Sequence, residues 1–171
     1  MLKYEKKPGL SEMMVVGFFR SKKELVIPDT VDGLKVTTIC SRALKHCVNL
    51  ETVVIPDSVT SIEKLAFEDC FKLKSVTIPE NIEEIAWGTF YNCGSLESIK
   101  IPDNVRSTGA YTFQGCINLK SIVLPKNTYA IGHYLFCSCC SLESIIIPDK
   151  NKRYRRSGFL WLREAEIRNF A

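Results

Sequence analysis

Cysteine carries the most reactive chemistry in this sequence, and it recurs at a fixed interval. Five of the eight cysteines stand 23 residues apart: Cys47, Cys70, Cys93, Cys116 and Cys139. Thiols at regular spacing can bind zinc, form disulfides or act as nucleophiles beside a histidine. An interval that persists over most of a chain also indicates a series of near-identical structural units.

The interval argues against both metal binding and disulfide formation by these five cysteines. A zinc site needs pairs of ligands only a few residues apart, and a 23-residue spacing supplies none. Equivalent side chains in a stack point the same way, so an S–S torsion near about 90° would twist neighbouring units out of line. We therefore expect these thiols to be reduced, buried and structural.

A second cysteine group, residues 137–140, lies close to His133 in the sequence. Such a group can bind a metal, undergo redox chemistry or supply a Cys–His nucleophile pair. No neighbouring ligand completes a metal site, and no third group is at hand to orient the histidine. We expect no catalytic residue, no metal and no cofactor; stoichiometric zinc in the purified protein would support the alternative.

The same interval governs the apolar residues that must position these thiols. Each unit reads C-x-x-L-x-x-V/I-x-I-P-x-x-V/I-x-x-I-x-x-x-A/T-F-x-x, with few exceptions. The phenylalanine column consists of Phe67, Phe90, Phe113 and Phe136, and the proline column consists of Pro56, Pro79, Pro102, Pro125 and Pro148. So many aligned columns predict a repeat protein whose units stack.

One unit, residues 70–92, predicts the local structure. Its segment 75–78 alternates polar and apolar residues like a short strand, and Pro79 ends the strand because proline lacks a ladder N–H. Segment 87–93 is predicted to form a single helical or 3-10 turn that buries its phenylalanine and its cysteine. The adjoining column favours a left-handed backbone and hence a turn, at His46, Asp69, Asn92, Gly115 and Ser138.

No single unit can bury its own apolar face, so the units must stack with parallel strands in register. The predicted fold is an α/β repeat: a right-handed solenoid with a parallel β-sheet of about six short strands and short helical or 3-10 turns on the opposite side. Residues 24–149 would form five turns of 23–28 residues. Residues 1–23 would form an N-terminal β-hairpin cap, and residues 150–171 a basic linker and a C-terminal cap helix.

The two caps are predicted from local patterns. Residues 13–19 and 25–27 are apolar and flank a polar segment, which predicts a hairpin that continues the sheet. Asp32-Gly33 is a typical hairpin turn inside the first, longer unit. Ser157 is a candidate helix N-cap, and Leu160, Ile167 and Phe170 would form the apolar side of that helix.

Three stretches of the chain resemble the BspA-type leucine-rich repeat: IPDSVTSIEKLAFEDCFKLKSVTIP, IPENIEEIAWGTFYNCGSLESIKIP and VDGLKVTTICSRALKHC. The resemblance covers about residues 24–149 and implies a curved leucine-rich-repeat solenoid without catalytic residues. It also implies adhesion or recognition, since many members look like secreted or surface proteins of host-associated bacteria and protists. The chain departs from the pattern at Thr108, which replaces an inward Ile, and at Leu44, which replaces Phe.

Size and charge narrow the class further. At 171 residues the chain is expected to be one domain, and a net charge of +4 does not by itself argue for nucleic acid. No apolar run reaches the length of a membrane span. The N-terminal segment has no apolar region typical of a signal peptide, so the cellular location stays open between a surface and a cytosolic setting.

Two surfaces are candidates for binding. On the turn side, a group of aromatic residues would mark a protein interface and can also bind carbohydrate: Trp87, Tyr91, Tyr111, Tyr134 and the adjacent His133. The alternative is that these rings lie flat over the turns. The outward strand positions are secondary candidates, at Thr77, Lys100, Val123 and Ile146.

The sequence therefore favours a monomeric, non-catalytic recognition or adhesion module that binds a protein partner, such as a host or cell-surface protein, through the solenoid surface. The alternative is a binder of nucleic acid or acidic surfaces through residues 150–156, where five of seven residues are basic. Such a run is more often a solvated linker, so nucleic acid is the less favoured partner. A steep salt dependence of binding, lost when Arg153, Arg155 and Arg156 become alanine, would identify the alternative.

Overall fold

A computed structural model of the chain describes residues 2–18 and 22–148, together with the backbone of residues 166–170. These residues form strands and turns, and none of them lies in a helix. The strands are β1 Leu2–Lys6, β2 Glu12–Phe18, β3 Glu24–Val26, β4 Thr30–Val31, β5 Leu34–Ile39, β6 Thr52–Val54, β7 Ser61–Ile62, β8 Ser75–Thr77, β9 Glu84–Ile85, β10 Ser107–Thr108, β11 Ser121–Val123, β12 Ala130–Ile131, β13 Ser144–Pro148 and β14 Glu166–Phe170.

One strand of each unit enters what we call the main strand row, in parallel pairing and in repeat register. β3, β6 and β8 lie side by side, and β11, β13 and β14 continue the row. The unit between the two groups joins the row by the single bridge between Ser98 and Ser121. The predicted solenoid is confirmed, and β14 adds one strand to the six that the repeats predict.

A second strand row runs along the next side of each turn. β7 pairs with β5, while β9, β10 and β12 pair with one another, again in parallel. Among the described residues, no ladder joins β7 to β9, so this row is open at that step. The short strands are sufficient because each unit also hydrogen-bonds to its neighbours through its turns.

The remaining side of the solenoid consists of hydrogen-bonded turns where short helical or 3-10 turns were expected. The N–H groups of Leu65 and Phe67 donate to carbonyls of the next unit, at 3.0 and 2.9 Å. The N–H groups between and after them, on Ala66 and Glu68, donate within their own turn. A helix would use every amide internally. Half of these amides bind the neighbouring unit, so no helical turn forms.

The core lies between the strand rows and the turns, and it is built from the repeat columns. The Phe67, Phe90, Phe113 and Phe136 side chains are fully buried. Successive rings stack nearly parallel, with centroids 5.3, 5.7 and 5.8 Å apart. Stacked rings of this kind add packing energy beyond the burial of their apolar area. The predicted left-handed column is also present, with φ between 56° and 74° from His46 to Ser138.

The N-terminal cap is a hairpin with different strands from those expected. β1 and β2 pair antiparallel, and β2 then pairs parallel with β5 in the second strand row. β3, which was expected to be the other arm of the hairpin, pairs with β6 in the main strand row. The predicted pairing of residues 13–19 with 25–27 is therefore wrong. The reason is that residues 25–28 carry the repeat's own strand pattern and follow its register.

The Asp32-Gly33 turn forms as predicted. It connects β4 to β5 in an antiparallel pair, and both residues have positive φ, at 52° and 75°. This is the backbone that a two-residue hairpin of type I′ requires.

At the C-terminal end, residues 166–170 form a strand where the end of a cap helix was expected. β14 pairs parallel with β13, and Ile167 occupies the register position next to Ile145. The prediction of a helix at Ile167 and Phe170 is therefore wrong. A strand is favoured because an open parallel edge offers unpaired backbone groups that a further strand satisfies. Ser157 and Leu160 lie outside the described residues.

Candidate functional site

The structure brings the predicted aromatic residues together on the turn side, and we call this surface the aromatic face. It consists of Trp87, Tyr91, Tyr111, Tyr134 and His133. Trp87 is 43% exposed, His133 is exposed, and the three tyrosines are half-buried. The rings are therefore partly exposed, and they lie next to one another as one continuous surface.

Ring contacts define the geometry of the aromatic face. Tyr111 and Tyr134 stack with centroids 5.2 Å apart at an interplanar angle of 18°. Trp87 meets Tyr111 edge-on, with centroids 5.7 Å apart at 67°. The His133 ring lies 6.5 Å from that of Tyr134. Three successive units thus contribute one ladder of rings, which fixes their positions before any ligand arrives.

The ladder depends on a second left-handed column that sequence analysis missed. Its members have φ between 54° and 61°: Arg42, Leu65, Gly88, Tyr111 and Tyr134. Bulky residues rarely adopt this backbone, so residue type gave no signal of the turn. The regular spacing was the available signal, because these positions precede the predicted left-handed column by four residues.

A notch of about 320 Å³ opens beside the ladder, and we call it the Trp87 notch. Its lining consists of Leu65, Glu68, Trp87, Tyr91, Tyr111 and Gln114. The Glu68 carboxylate lies 2.9 Å from Lys45 Nζ and 3.5 Å from Arg42 Nε, so its charge is compensated. The lining thus combines three aromatic rings and Leu65 with the polar side chains of Glu68 and Gln114.

The secondary candidates lie on the outward face of the main strand row. Lys100 and Val123 line a shallow groove of about 480 Å³. Lys100 Nζ is paired with Glu80 Oε1 at 2.9 Å, and Val123 is 50% exposed. Thr77 is exposed in β8, while Ile146 is half-buried in β13. This face carries scattered apolar side chains and no aromatic ring in the described residues.

A larger opening, about 830 Å³, lies elsewhere, at the step between β7 and β9. Its lining is mostly polar and includes Ser61, Glu63 and Asn81.

Sequence analysis also missed an exposed apolar column in which Val48, Phe71 and Ile117 are each 41–49% exposed. Cys140 belongs to the same column by the repeat spacing, and it is exposed as well.

None of the eight cysteines forms a disulfide, and the five at 23-residue spacing are buried. Burial raises the pKa of Cys139 to about 12 and also raises the pKa of Cys93 and of Cys116. A hydrogen bond with Cys47, together with burial, raises the pKa of Cys70. Thiols held protonated in this way are poor nucleophiles and poor metal ligands.

The described part of the chain contains neither a metal-binding group nor a membrane-spanning helix. Its histidines, cysteines and carboxylates form no group of three that could hold a metal ion. It also has no helix with the length and apolar character needed to cross a membrane. The basic segment 150–156 lies outside the described residues.

Comparison with known proteins relates this architecture to one repeat family. The family model described as the BspA type leucine rich repeat region matches residues 37–163 in six copies. A leucine-rich repeat protein of T. pallidum is 30% identical, with a TM-score of 0.82 over 85% of this chain and 68% of that protein. No curated protein matches the chain.

Two longer bacterial proteins share the fold. A leucine-rich repeat protein from Bacteroides ovatus is 27% identical, with a TM-score of 0.77, and covers 88% of this chain and 47% of its own. A leucine-rich cell surface protein from Faecalibacterium prausnitzii is 27% identical, with a TM-score of 0.77, and covers 96% of this chain and 41% of its own. The chain thus spans less than half the length of these two proteins.

Proposed function

The chain belongs to the BspA-type leucine-rich repeat family, and from that premise we propose that it is a non-catalytic recognition module that binds a protein partner through the aromatic face. The family typically supplies protein-interaction and adhesion modules. The related F. prausnitzii protein is a cell surface protein, and a partner on a host or another cell surface is consistent with that setting. The single observation that carries the proposal is the continuous, partly exposed ladder of Trp87, Tyr111 and Tyr134.

Residue type favours the aromatic face over the main strand row. Trp and Tyr dominate the energetics of protein interfaces because they bury a large area at a small cost in conformational entropy. The outward strand positions instead alternate small, apolar and charged side chains, and Lys100 is already paired. Such a surface offers weaker anchors. The stacked rings are also held in place by their backbone, so little ordering is needed on binding.

A selection experiment tests the choice of face without a known partner. A displayed peptide library is selected against the wild-type protein, and the binders are counter-screened against two variants. Trp87→Ala with Tyr134→Ala removes two rings of the aromatic face, while Val54→Ser with Val123→Ser alters the main strand row as the matched control. We expect selected peptides to lose at least about tenfold in affinity on the aromatic variant, because interface hot spots are of this type.

The same binders decide between the alternatives. Affinity that survives the aromatic variant but falls on the strand variant would move the site to the main strand row. Binders that are strongly acidic, and whose affinity falls steeply with salt and with alanine at Arg153, Arg155 and Arg156, would support the basic segment instead. Circular dichroism of each variant must match wild type before affinities are compared.

A further inference from the structure

The strand ladders divide the solenoid into two blocks. Strands β1 to β8 pair only with one another, and we call them the N-terminal block; strands β9 to β14 pair only with one another, and we call them the C-terminal block. The bridge between Ser98 and Ser121 lies inside the C-terminal block. Within the described residues, no ladder crosses from one block to the other in either strand row. The boundary lies between Thr77, where β8 ends, and Glu84, where β9 begins.

The gap between the blocks is local, because the same hydrogen bonds form on either side of it. One N–H group in each unit ties a strand row to the unit before. In the second strand row these donors, at 2.8–2.9 Å, are Thr60, Arg106 and Tyr129; in the main strand row, at 2.8–3.0 Å, they are Lys74, Lys120 and Glu143. Glu83 and Glu97 hold the equivalent positions at the boundary, and neither donates such a bond to the described residues. Both strand rows are therefore open where the blocks meet.

The turn side stays closed at the same place. The N–H groups of Leu65, Phe67 and Asp69 in the N-terminal block donate to carbonyls of the C-terminal block at 2.9–3.0 Å. The rings of Phe67 and Phe90 stack across the boundary, with centroids 5.3 Å apart. Their planes are tilted by 17°, whereas the two stacked pairs inside the C-terminal block are tilted by 6° and 7°. The blocks thus meet as a wedge that is closed at the turns and open at the strands.

The open side of the boundary is wide and polar. An opening of about 830 Å³ lies between β7 and β9. It is lined by the carboxylates of Glu63, Glu83 and Glu84 and by one ammonium group, that of Lys64. Like charges on neighbouring strands destabilise their pairing, and a polar space of this size admits water. The lining therefore does not hold the two strands together.

We propose that the solenoid contains a hinge between β8 and β9, about which the two blocks rock with the turn side as the axis. The hydrogen bonds of the turns and the stack of Phe67 on Phe90 keep the axis together. In the described residues no ladder resists separation of the strand rows. Segment 78–83 connects the blocks, and a hinge is a short connection of this kind that absorbs the change in backbone angles. Rocking changes the curvature of the solenoid and leaves each block intact, because a repeat stack is stabilised by its nearest-neighbour interfaces.

The hinge also changes the surroundings of the aromatic face. The ring ladder of Trp87, Tyr111 and Tyr134 lies wholly in the C-terminal block, so rocking leaves its geometry unchanged. Leu65 and Glu68 line the Trp87 notch from the N-terminal block. The width of the notch therefore depends on the hinge angle. The inference concerns the free protein, and it does not depend on the proposed function.

Residual dipolar couplings of the weakly aligned, ¹⁵N-labelled protein measure the rocking, which belongs to the microsecond-to-millisecond range of hinge motions. The couplings of each block are fitted to the coordinates of that block alone, which gives one alignment tensor per block. We expect the two tensors to differ in magnitude, because blocks that move relative to each other are aligned to different extents. Residues 84–115 and 116–148, two halves of the C-terminal block, are the matched control and should give equal tensors. Equal tensors for the two blocks would overturn the hinge.

Two substitutions in one repeat column test whether the same boundary separates the blocks energetically. Val59 in the N-terminal block and Val105 in the C-terminal block are both fully buried, and each donates its N–H to a proline carbonyl, at 3.0 and 3.1 Å. Val59→Ala should accelerate hydrogen exchange at least about tenfold more in β6 and β8 than in β10, β11 and β13, and Val105→Ala should do the reverse. Both variants lose the same atoms, so cavity size does not distinguish them. Equal acceleration in the two blocks would also overturn the proposal, since the stack would then open as one unit.

Discussion

The thiol of Cys93 donates a hydrogen bond to the backbone carbonyl of Phe67, 3.3 Å away in the preceding unit. The same relationship links Cys70 to Leu44, Cys116 to Phe90 and Cys139 to Phe113, at 3.1–3.3 Å. The Phe67 oxygen also accepts the N–H of Cys70 at 3.2 Å. Since a carbonyl has two lone pairs, the cysteine occupies the second one. The cysteine column therefore ties each turn to the preceding one in addition to filling space.

Replacing Cys93 by alanine should therefore destabilise the protein more than its small size suggests. Cys93→Ala removes a buried apolar atom and leaves a carbonyl lone pair unfilled, which together cost about 1–3 kcal/mol. Urea unfolding followed by circular dichroism measures the change in the free energy of unfolding. Cys140→Ala is the matched control, because Cys140 is exposed and its loss should cost less than about 0.5 kcal/mol. Equal costs for the two variants would contradict a structural role for the thiol hydrogen bond.

The buried thiols also predict how stability depends on alkaline pH. Burial raises the pKa of Cys139 to about 12, above the ordinary value of 9.0. Between these values the unfolded chain has lost a proton that the folded chain keeps, so the free energy of unfolding falls as pH rises. Well below pH 9.0 the thiol is protonated in both states, and the free energy of unfolding does not depend on this group. Each such thiol contributes a slope of at most about 1.4 kcal/mol per pH unit.

Urea titrations between pH 8 and pH 11 measure this slope. Tyrosines and lysines titrate in the same range, but they are common to all variants. In Cys139→Ala the free energy of unfolding should therefore fall less steeply with pH than in wild type. The difference should correspond to the release of up to about one proton on unfolding. An unchanged slope would show that Cys139 ionises equally in both states.

The repeat columns predicted most of the fold because burial alone dictates them. A phenylalanine or a leucine every 23 residues has to lie in one stacked core, whatever the turn beside it does. The turns were less predictable, since Leu65 and Tyr111 adopt a left-handed backbone that their residue types disfavour. Tertiary hydrogen bonds to the next unit impose that backbone. The strand at residues 166–170 was missed for a similar reason, because the edge of β13 decides it.

The candidate site was predictable in part. The shared column of Trp87 and His133, and the neighbouring Tyr111 and Tyr134, follow from the repeat spacing, so their proximity could be expected. The notch could not, because its volume depends on how the side chains of Leu65, Glu68 and Gln114 pack beside the rings. The unpaired oxygen of Gln114 is likewise a consequence of packing. Sequence spacing shows which residues are neighbours but not which of their atoms lack partners.

The N-terminal cap is predicted to loosen in acid through Glu12. Its Oε2 accepts the hydroxyl of Thr37 at 2.8 Å and lies 3.3 Å from Lys7 Nζ. The hydrogen bond from Thr37, followed by that from Lys7, lowers the pKa of Glu12 below its ordinary 4.5. The contact therefore stabilises the cap above pH 4.5 and is lost as pH falls through the lowered value.

Hydrogen exchange at β2 amides measures this loosening of the cap. Protection factors of the wild type should fall as pH is lowered from about 5 to about 3. Glu12→Gln should show lower protection at neutral pH and little further loss in acid. Glu5→Gln, at an exposed position of β1, leaves the Thr37 contact intact and should keep the acid-dependent loss. Acid-insensitive protection in the wild type would mean that apolar contacts alone hold the cap.

Gly109 should tolerate alanine less well than Gly94, because the preceding unit approaches the Gly109 backbone closely. A Cβ at Gly109 would overlap the backbone at Ala86 and Trp87, which cannot move aside without opening the stack. Gly109→Ala should therefore cost about 2 kcal/mol or more in the free energy of unfolding. Gly94→Ala is the matched control, since its added Cβ would meet Ile117 at an ordinary 3.7 Å. We expect that variant to stay within about 0.5 kcal/mol of wild type. Equal stability of the two variants would mean that the units can slide apart at this step.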